Sequence, residues 1–240
     1  MPHLAHTRAT RFWLRVLTAL ARRRVIELRG VEHIATARDP FILAINHSQR
    51  FEAILIPTLL TWLRQGRLVH FFTDWLVLLY PIVAQVVLLH GPIIVTRKQA
   101  RLRWLNWFKR RYENLPPPFE RAAELLKSGT SVGIFPEGTM NRDRARLLRG
   151  YSGAAQLSME QQVPVVPAGV RFPKGDPRKP VGDWEPWVIE FGPPMAPPKL
   201  QGRTPEIGEI RDWHASIMQA ISVLSGKQWT PENQRKRYVA

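Results

Sequence analysis

Short, uninterrupted apolar runs separated by stretches of helical periodicity constrain this chain more than any other feature. Residues 41–45, 131–135 and 165–171 are too short for helices and read as strands covered on both faces. Weaker strand signals occur at 24–28, 68–73, 92–96 and 188–191. Between them the apolar residues recur at about 100° per residue. That period predicts helices over 11–24, 51–64, 75–89, 98–115, 120–128, 150–161 and 204–224. Pro57 implies a kink or a late start in the second of these, Pro116-Pro117-Pro118 ends the fourth, and Gly129 stops the fifth. Strands alternating with helices predict an α/β fold: a single domain with a mixed, largely parallel sheet flanked by helices. The expected divisions are a basic amphipathic segment over 1–30, the α/β domain over 31–225, and a basic tail over 226–240 whose Arg235-Lys236-Arg237 frays. The Pro-rich stretches 173–186 and 193–198 read as loops within the domain. In such sheets chemistry collects where strands end and helices begin. His47, Arg97 and Pro136-Glu137-Gly138 each follow a predicted strand directly.

Charge narrows the partners. The 240 residues include 35 Lys and Arg against 19 acids, a formal charge of +16. The excess points to nucleic acid, a membrane surface or a phosphorylated substrate. Cysteine is absent, which removes disulfides, thiolate nucleophiles and thiolate metal sites. No secretory signal stands out at the start, where arginines interrupt every apolar stretch. On the 11–24 wheel Arg8, Arg11, Arg15 and Arg22 fall opposite Trp13, Leu14, Leu17 and Leu20. This is the pattern of a helix lying in a lipid interface, or of an ordinary surface helix with its apolar side on the domain. The longest apolar run, 75–89, would span about 22 Å as a helix against ~30 Å of hydrocarbon, so a buried or interfacial segment is expected. Residues 75–94 either shape an apolar slot or pack as core. The segment 98–111 sets Trp104, Leu105, Trp107 and Phe108 beside Lys98, Arg101, Arg103, Lys109, Arg110 and Arg111. Nucleic-acid stacking, a lipid interface and aromatic core packing all fit that mixture. No metal is expected: His3 and His6 are the one histidine pair at ligand spacing.

Two motifs carry chemistry. His47 is followed five positions later by Glu52; with 7 histidines and 19 acids, chance alone gives ~0.5 such pairs. Placement at a strand end beside Asn46 adds weight. A carboxylate that accepts one imidazole N–H fixes the tautomer and makes the other nitrogen more basic, as a general base requires. A hydrogen-bonded structural histidine is the plainer alternative. Phe135-Pro136-Glu137-Gly138-Thr139 is more specific. Its glycine permits close backbone approach, its N–H groups and the Thr139 hydroxyl suit anionic oxygens, and Glu137 suits substrate hydroxyls. A strand-to-loop turn is the alternative.

On these residues the chain resembles the 1-acyl-sn-glycerol-3-phosphate (lysophosphatidic acid) acyltransferases and their glycerolipid acyltransferase relatives. Four blocks stand in that family's order over about residues 41–171. They are Asn46-His47 with Glu52, Gly91-Pro-Ile-Ile-Val-Thr-Arg97, Phe135 to Thr139, and Val163-Pro-Val-Val-Pro167. The resemblance implies transfer of an acyl group from acyl-CoA or acyl carrier protein to a lysophospholipid hydroxyl, without a resident cofactor. It implies His47 as base, Glu52 as its partner, and Arg97, Glu137, Gly138, Thr139 and Arg149 around the acceptor's phosphate and glycerol. It also implies an anionic membrane surface as partner, on the cytoplasmic face, with neither nucleic acid nor metal. The rival functions are a non-catalytic lipid-binding relative and a basic nucleic-acid-binding protein. The chain departs from the pattern at Glu52, where the family has aspartate, and at Gln49, where serine is common. It departs again at Met140-Asn141 before Arg142, and at Ser152 before Gly153-Ala154-Ala155, which leaves Arg149 as the substitute basic residue.

Overall fold

Residue 42 onwards shows why the central strands read as continuous apolar runs. In the computed structural model, which describes residues 8–232, strand β2 (Ile42–Ile45) is buried at every position. Ile42 and Ala44 face one hydrophobic cluster, with Ala154, Leu157, Ile217 and Ile221. Leu43 and Ile45 face another, with Ala21, Leu55, Leu59 and Val166. A strand sandwiched this way has no solvent face and therefore no polar alternation.

Numbered in chain order, the other strands are β1 (Val25–Arg29), β3 (Val69–Asp74), β4 (Ile93–Val95), β5 (Ser131–Ile134), β6 (Val165–Arg171) and β7 (Trp187–Phe191). They form one sheet in the order β1-β7-β6-β2-β5-β3-β4. The five strands from β6 to β4 run parallel. Strand β7 returns antiparallel to β6, and β1 lies parallel to β7. The expected α/β, largely parallel sheet flanked by helices is observed. Helices α1 (Arg8–Arg24) and α2 (Glu52–Leu63) cover one face; α4 (Pro118–Lys127), α5 (Gly153–Gln161) and α6 (Ile207–Ser225) cover the other. Helix α6 crosses β6 so closely that a Cβ on Gly169 would lie 2.2 Å from the carbonyl carbon of Leu224. Glycine is the one residue that admits this approach.

Several elements differ from expectation for identifiable reasons. The predicted helix 75–89 is broken at Pro81. Tyr80, immediately before it, is extended (φ −95, ψ 104), leaving 3₁₀ turns over Trp75–Leu79 and a separate helix α3 (Pro81–Leu89). The predicted helix 98–115 is instead a run of 3₁₀ turns over Arg103–Tyr112. The Asn106 side chain accepts from the Ala100 N–H at 2.7 Å and donates to the Arg103 carbonyl. Trp104, Trp107 and Phe108 remain exposed, so this segment lacks the packed face that stabilises most α-helices. Pro57 lies inside α2. The domain divisions also shift. Strand β1 belongs to the sheet, so a boundary after residue 30 has no physical counterpart. Lys227 and Trp229 are buried, so residues 226–232 belong to the domain; Arg235-Lys236-Arg237 lie outside the described residues. In α1, Leu17, Leu20 and Ala21 pack inward, while Arg15, Arg22 and Arg23 are exposed. The side chains of Arg8, Arg11, Trp13 and Leu14 are outside the description, as are His3 and His6.

Candidate active site

The pairing of β2 with β5 sets the site. Ala44 lies opposite Ile134, so both chains leave the sheet at one rim and His47 emerges level with Glu137. The His47 N–H faces Glu137 Oε1 at 3.4 Å, and the His47 carbonyl accepts from the Asn141 N–H at 2.7 Å. Asn46 extends the β2–β6 ladder with its side chain, accepting from the Val170 N–H at 2.7 Å and donating to the Val170 carbonyl at 3.2 Å. The imidazole of His47 lies on the ring of Phe135, centroids 4.5 Å apart, and Phe135 rests on Phe71 at 5.3 Å. Gly133 makes the room: a Cβ there would lie 2.5 Å from the Phe71 ring.

Glu52 is the first residue of α2, where the helix dipole favours a negative charge. Its carboxylate is fully buried. One oxygen accepts both the His47 Nδ1–H (2.8 Å) and the Ser48 N–H (2.6 Å). This arrangement selects the Nδ1–H tautomer and leaves Nε2 as the basic nitrogen. The His47 side chain keeps 15% of its surface exposed, enough for an approaching hydroxyl to reach one ring edge. Among the described residues Nε2 has no hydrogen-bond partner.

Below the imidazole, Gly138 (φ +66) closes a turn whose N–H donates to the Phe135 carbonyl at 2.9 Å. Glu137, expected to meet substrate hydroxyls, is instead buried. Its Oε2 accepts from Asn141 Nδ2 at 2.7 Å and from the Leu148 N–H at 2.8 Å. Burial pushes its carboxyl above the usual range, against those hydrogen bonds and the attraction of Lys227. Its oxygens serve the protein, so it builds the turn from beneath. Gly138 is exposed and Thr139 half-exposed at this turn. Arg149 follows the Leu148 that Glu137 holds; its side chain is exposed, and its carbonyl accepts from Trp229 Nε1 at 3.2 Å. Arg97 is exposed beyond β4, three strands from β2, about 14 Å at ordinary sheet spacing. The fold thus brings His47, Glu52, Glu137, Gly138 and Thr139 together, sets Arg149 on the adjoining loop and leaves Arg97 across the rim. Among the described residues no group of three or more His, Asp or Glu could hold a metal ion.

Two of the departures in sequence are explained by the loop 181–185. Gln49 donates to the carbonyls of Gly182 (2.5 Å) and Glu185 (3.0 Å). Arg142 pairs with Asp183 at 2.6 Å and donates to the Val181 carbonyl. Both tie this loop to the His47 segment. Sequence reasoning missed Lys227 altogether. It follows Gly226, the C-cap of α6, and its ammonium donates to Ser48 Oγ at 2.8 Å and to the Asp143 carbonyl at 2.6 Å. A lone lysine 180 positions from the histidine it approaches leaves no local pattern to find.

A largely parallel sheet with a carboxylate-braced imidazole at its carboxyl rim, beside a glycine turn, defines an α/β protein with its candidate site where such sheets gather their chemistry. The chain belongs to the Acyltransferase family, whose model matches residues 25–171. Over 141 residues it is 26% identical to the chloroplast 1-acyl-sn-glycerol-3-phosphate acyltransferase BAT2 of Brassica napus, covering 59% of this chain and 36% of that protein. It is 27% identical over 142 residues to the chloroplast enzyme LPAT1 of Arabidopsis thaliana, covering 59% and 35%. The match therefore spans about a third of the length of these curated relatives. The crystal structure of the 1-acyl-sn-glycerophosphate acyltransferase PlsC from Thermotoga maritima superposes with a TM-score of 0.59 at 18% identity, over 94% of this chain and 85% of that one. That likeness establishes the fold.

Proposed function

We propose that this acyltransferase moves a fatty acyl group from a thioester, acyl-CoA or acyl carrier protein, to the hydroxyl of a lysophospholipid in phospholipid synthesis or remodelling. The acceptor proposed is 1-acylglycerol-3-phosphate, the substrate named in the curated relatives. The observation that carries the reading is the 2.8 Å contact between His47 Nδ1 and a fully buried Glu52, which leaves Nε2 open. Nε2 takes the proton of the acceptor hydroxyl as its oxygen attacks the thioester carbonyl. The carbon–sulfur bond then breaks, and the thiolate leaves with the proton that Nε2 carried. Glu52 stabilises the imidazolium between those steps. A thiol with a pKa of about 8.5 departs without further acid assistance. Arg149, Gly138 and Thr139, with Arg97 across the rim, hold the acceptor's phosphate and glycerol.

The surface supports peripheral attachment to an anionic membrane. Residues 75–112 contain seven Lys and Arg and no acid. Trp104 and Trp107 are about two-thirds exposed, at 66% and 67%, as suits side chains seated among lipid headgroups. Among the described residues no helix is long and apolar enough to cross a membrane. The cytoplasmic face, with its anionic lipids, is the proposed site of binding.

Thiol release tests the reading without background, since the protein has no cysteine. Release from acyl-CoA or acyl carrier protein should depend on added lysophosphatidic acid. Replacing His47 by Ala should lower it about 10³-fold while vesicle binding persists. Vesicle binding without acceptor-dependent release by the wild type would favour the non-catalytic lipid-binding relative. Wild-type turnover by H47A removes the mechanism.

A further inference from the structure

We propose that Lys227 is a positioning residue for the catalytic pair: its buried ammonium fixes the Ser48 loop and supplies the positive charge that lets the buried Glu52 and Glu137 stay in place beside His47. The inference rests on His47 acting as the base. It adds a residue from the far end of the domain that the reaction scheme above does not use.

Charge balance is the first argument. Glu52 and Glu137 are 0% and 3% exposed and flank one histidine. Two carboxylates in so dry a place need a compensating cation. The arginines nearby do not provide it directly. Arg142 and Arg144 are paired to Asp183 and Glu185 in the neighbouring loop, and Arg149 projects outward. Lys227 is 3% exposed and lies within electrostatic reach of both carboxylates and of Asp143. Burial pulls its ammonium down, Glu137, Glu52 and Asp143 pull it up, and Arg144 opposes them.

Connectivity is the second argument. The ammonium donates to Ser48 Oγ, and the Ser48 N–H donates to the same Glu52 oxygen that accepts the hydrogen bond from His47 Nδ1–H. Lys227, Ser48, Glu52 and His47 therefore form a continuous chain of contacts ending at the base. The lysine itself is held on both sides. The Ser222 hydroxyl donates to its carbonyl, and Gln228 bonds to the backbone at Ala145 and Leu147. The C-terminal segment thereby locks onto the loop that follows the glycine turn.

The sign of its effect follows. A fixed cation beside the His47–Glu52 pair disfavours an extra proton anywhere on it. Removing the cation makes the pair bind that proton more tightly. In the K227M variant, the acid limb of kcat/KM should move to higher pH by about half a unit or more. Activity should then fall more at pH 6 than at pH 8, with KM for acyl-CoA little changed. NMR titration of the His47 ring, identified by its absence in H47A, should move in the same direction in the apoprotein. That second readout needs no turnover, so failure of the acyl-transfer reading and failure of this one are distinguishable. K227R keeps the cation and K227Q keeps only a hydrogen-bond donor; Arg should group with wild type and Gln with Met. A pH-independent loss in K227M, or an unmoved His47 titration, overturns the proposal. So does failure of every neutral variant to fold while K227R folds, which would make the cation purely structural.

Discussion

At the residue scale, the substitution of glutamate for the family's aspartate is accommodated by geometry. Glu52 begins α2, and one of its oxygens reaches both His47 Nδ1 and the Ser48 N–H. Aspartate at this position is one methylene short of two donors at once, yet keeps the anion. Activity should therefore rank wild type above E52D, and E52D above E52Q and E52A. The neutral amide should cost about 10²–10⁴ in kcat, because it no longer enforces the reactive tautomer. Steady-state thiol release on the four proteins checks the order; E52D as inert as E52A would show that the site depends on the longer side chain. His47, Glu52 and the Gly138 turn were legible in the sequence because each sits at a strand end with its partner within a few positions. The inward-facing role of Glu137 was not legible. It depends on Asn141 and Leu148 folding back over it, and loop closure leaves no periodic trace. Lys227 was hidden for the same reason over a longer distance.

At the element scale, the His47 ring rests on a column of aromatics that a glycine makes possible. Phe71 of β3 occupies the space above Gly133 of β5 and supports Phe135 under His47. G133A should push that column out of register. Expected are a loss of about 1–3 kcal/mol in unfolding free energy, from overpacking, and a reduced kcat with no change in the acid limb of its pH profile. Chemical denaturation together with kinetics checks both; an unchanged kcat would mean that Phe135 does not position the ring. A different pH effect belongs to the layer under α2 and α3. His90 is buried, with its Nδ1–H donating to the Val86 carbonyl at 3.0 Å. His70 bonds to the Gly91 carbonyl. Burial holds both imidazoles below their ordinary range; Arg121 adds to the effect at His70, and His70 adds to it at His90. A depressed folded value means that the unfolded chain binds more protons in the window below about pH 6.5. Stability should be flat above that pH and fall on acidification through it. H90Q should shrink the drop in thermal midpoint between pH 7 and pH 5.5. An equally steep drop in H90Q would place the effect on other groups. The helix pattern could not foresee that residues 75–112 break into short pieces. Hydrophobic period alone does not register a proline that forces its predecessor extended, nor aromatics that find no core.

On the scale of the whole molecule, alternation of strand and helix predicted the layers but not the order of strands. Pairing is set by contacts across the chain: β2 lies between β5 and β6, and β7 reverses to place β1 at one edge. The distribution of charge survived that ambiguity, because a 38-residue stretch without a single acid keeps its sign however it folds. Both segments whose sequence suits a lipid interface, the N-terminal helix and the 98–111 stretch, carry basic side chains at the surface. In α1, Leu17, Leu20 and Ala21 pack inward while Val16 is exposed, Arg15, Arg22 and Arg23 are at the surface, and Arg22 lies over Trp62 at 5.0 Å. Exposed apolar rings are concentrated in the 3₁₀ run, at Trp104, Trp107 and Phe108. Two kinds of contact are therefore expected, aromatic rings at headgroup depth from the 3₁₀ run and a long-range cationic attraction from both regions. They are separable. In W104A/W107A, vesicle binding should weaken on neutral and anionic vesicles alike. In K109Q/R110Q/R111Q, each charge lost should cost about 1 kcal/mol on anionic lipid at low salt. That amounts to roughly a 10²-fold weaker partition for the triple variant, vanishing as added salt screens the attraction. Sedimentation with vesicles of graded anionic content measures both. If the triple variant binds anionic vesicles as wild type does, the basic 3₁₀ run does not face the membrane, and α1 must carry the attachment.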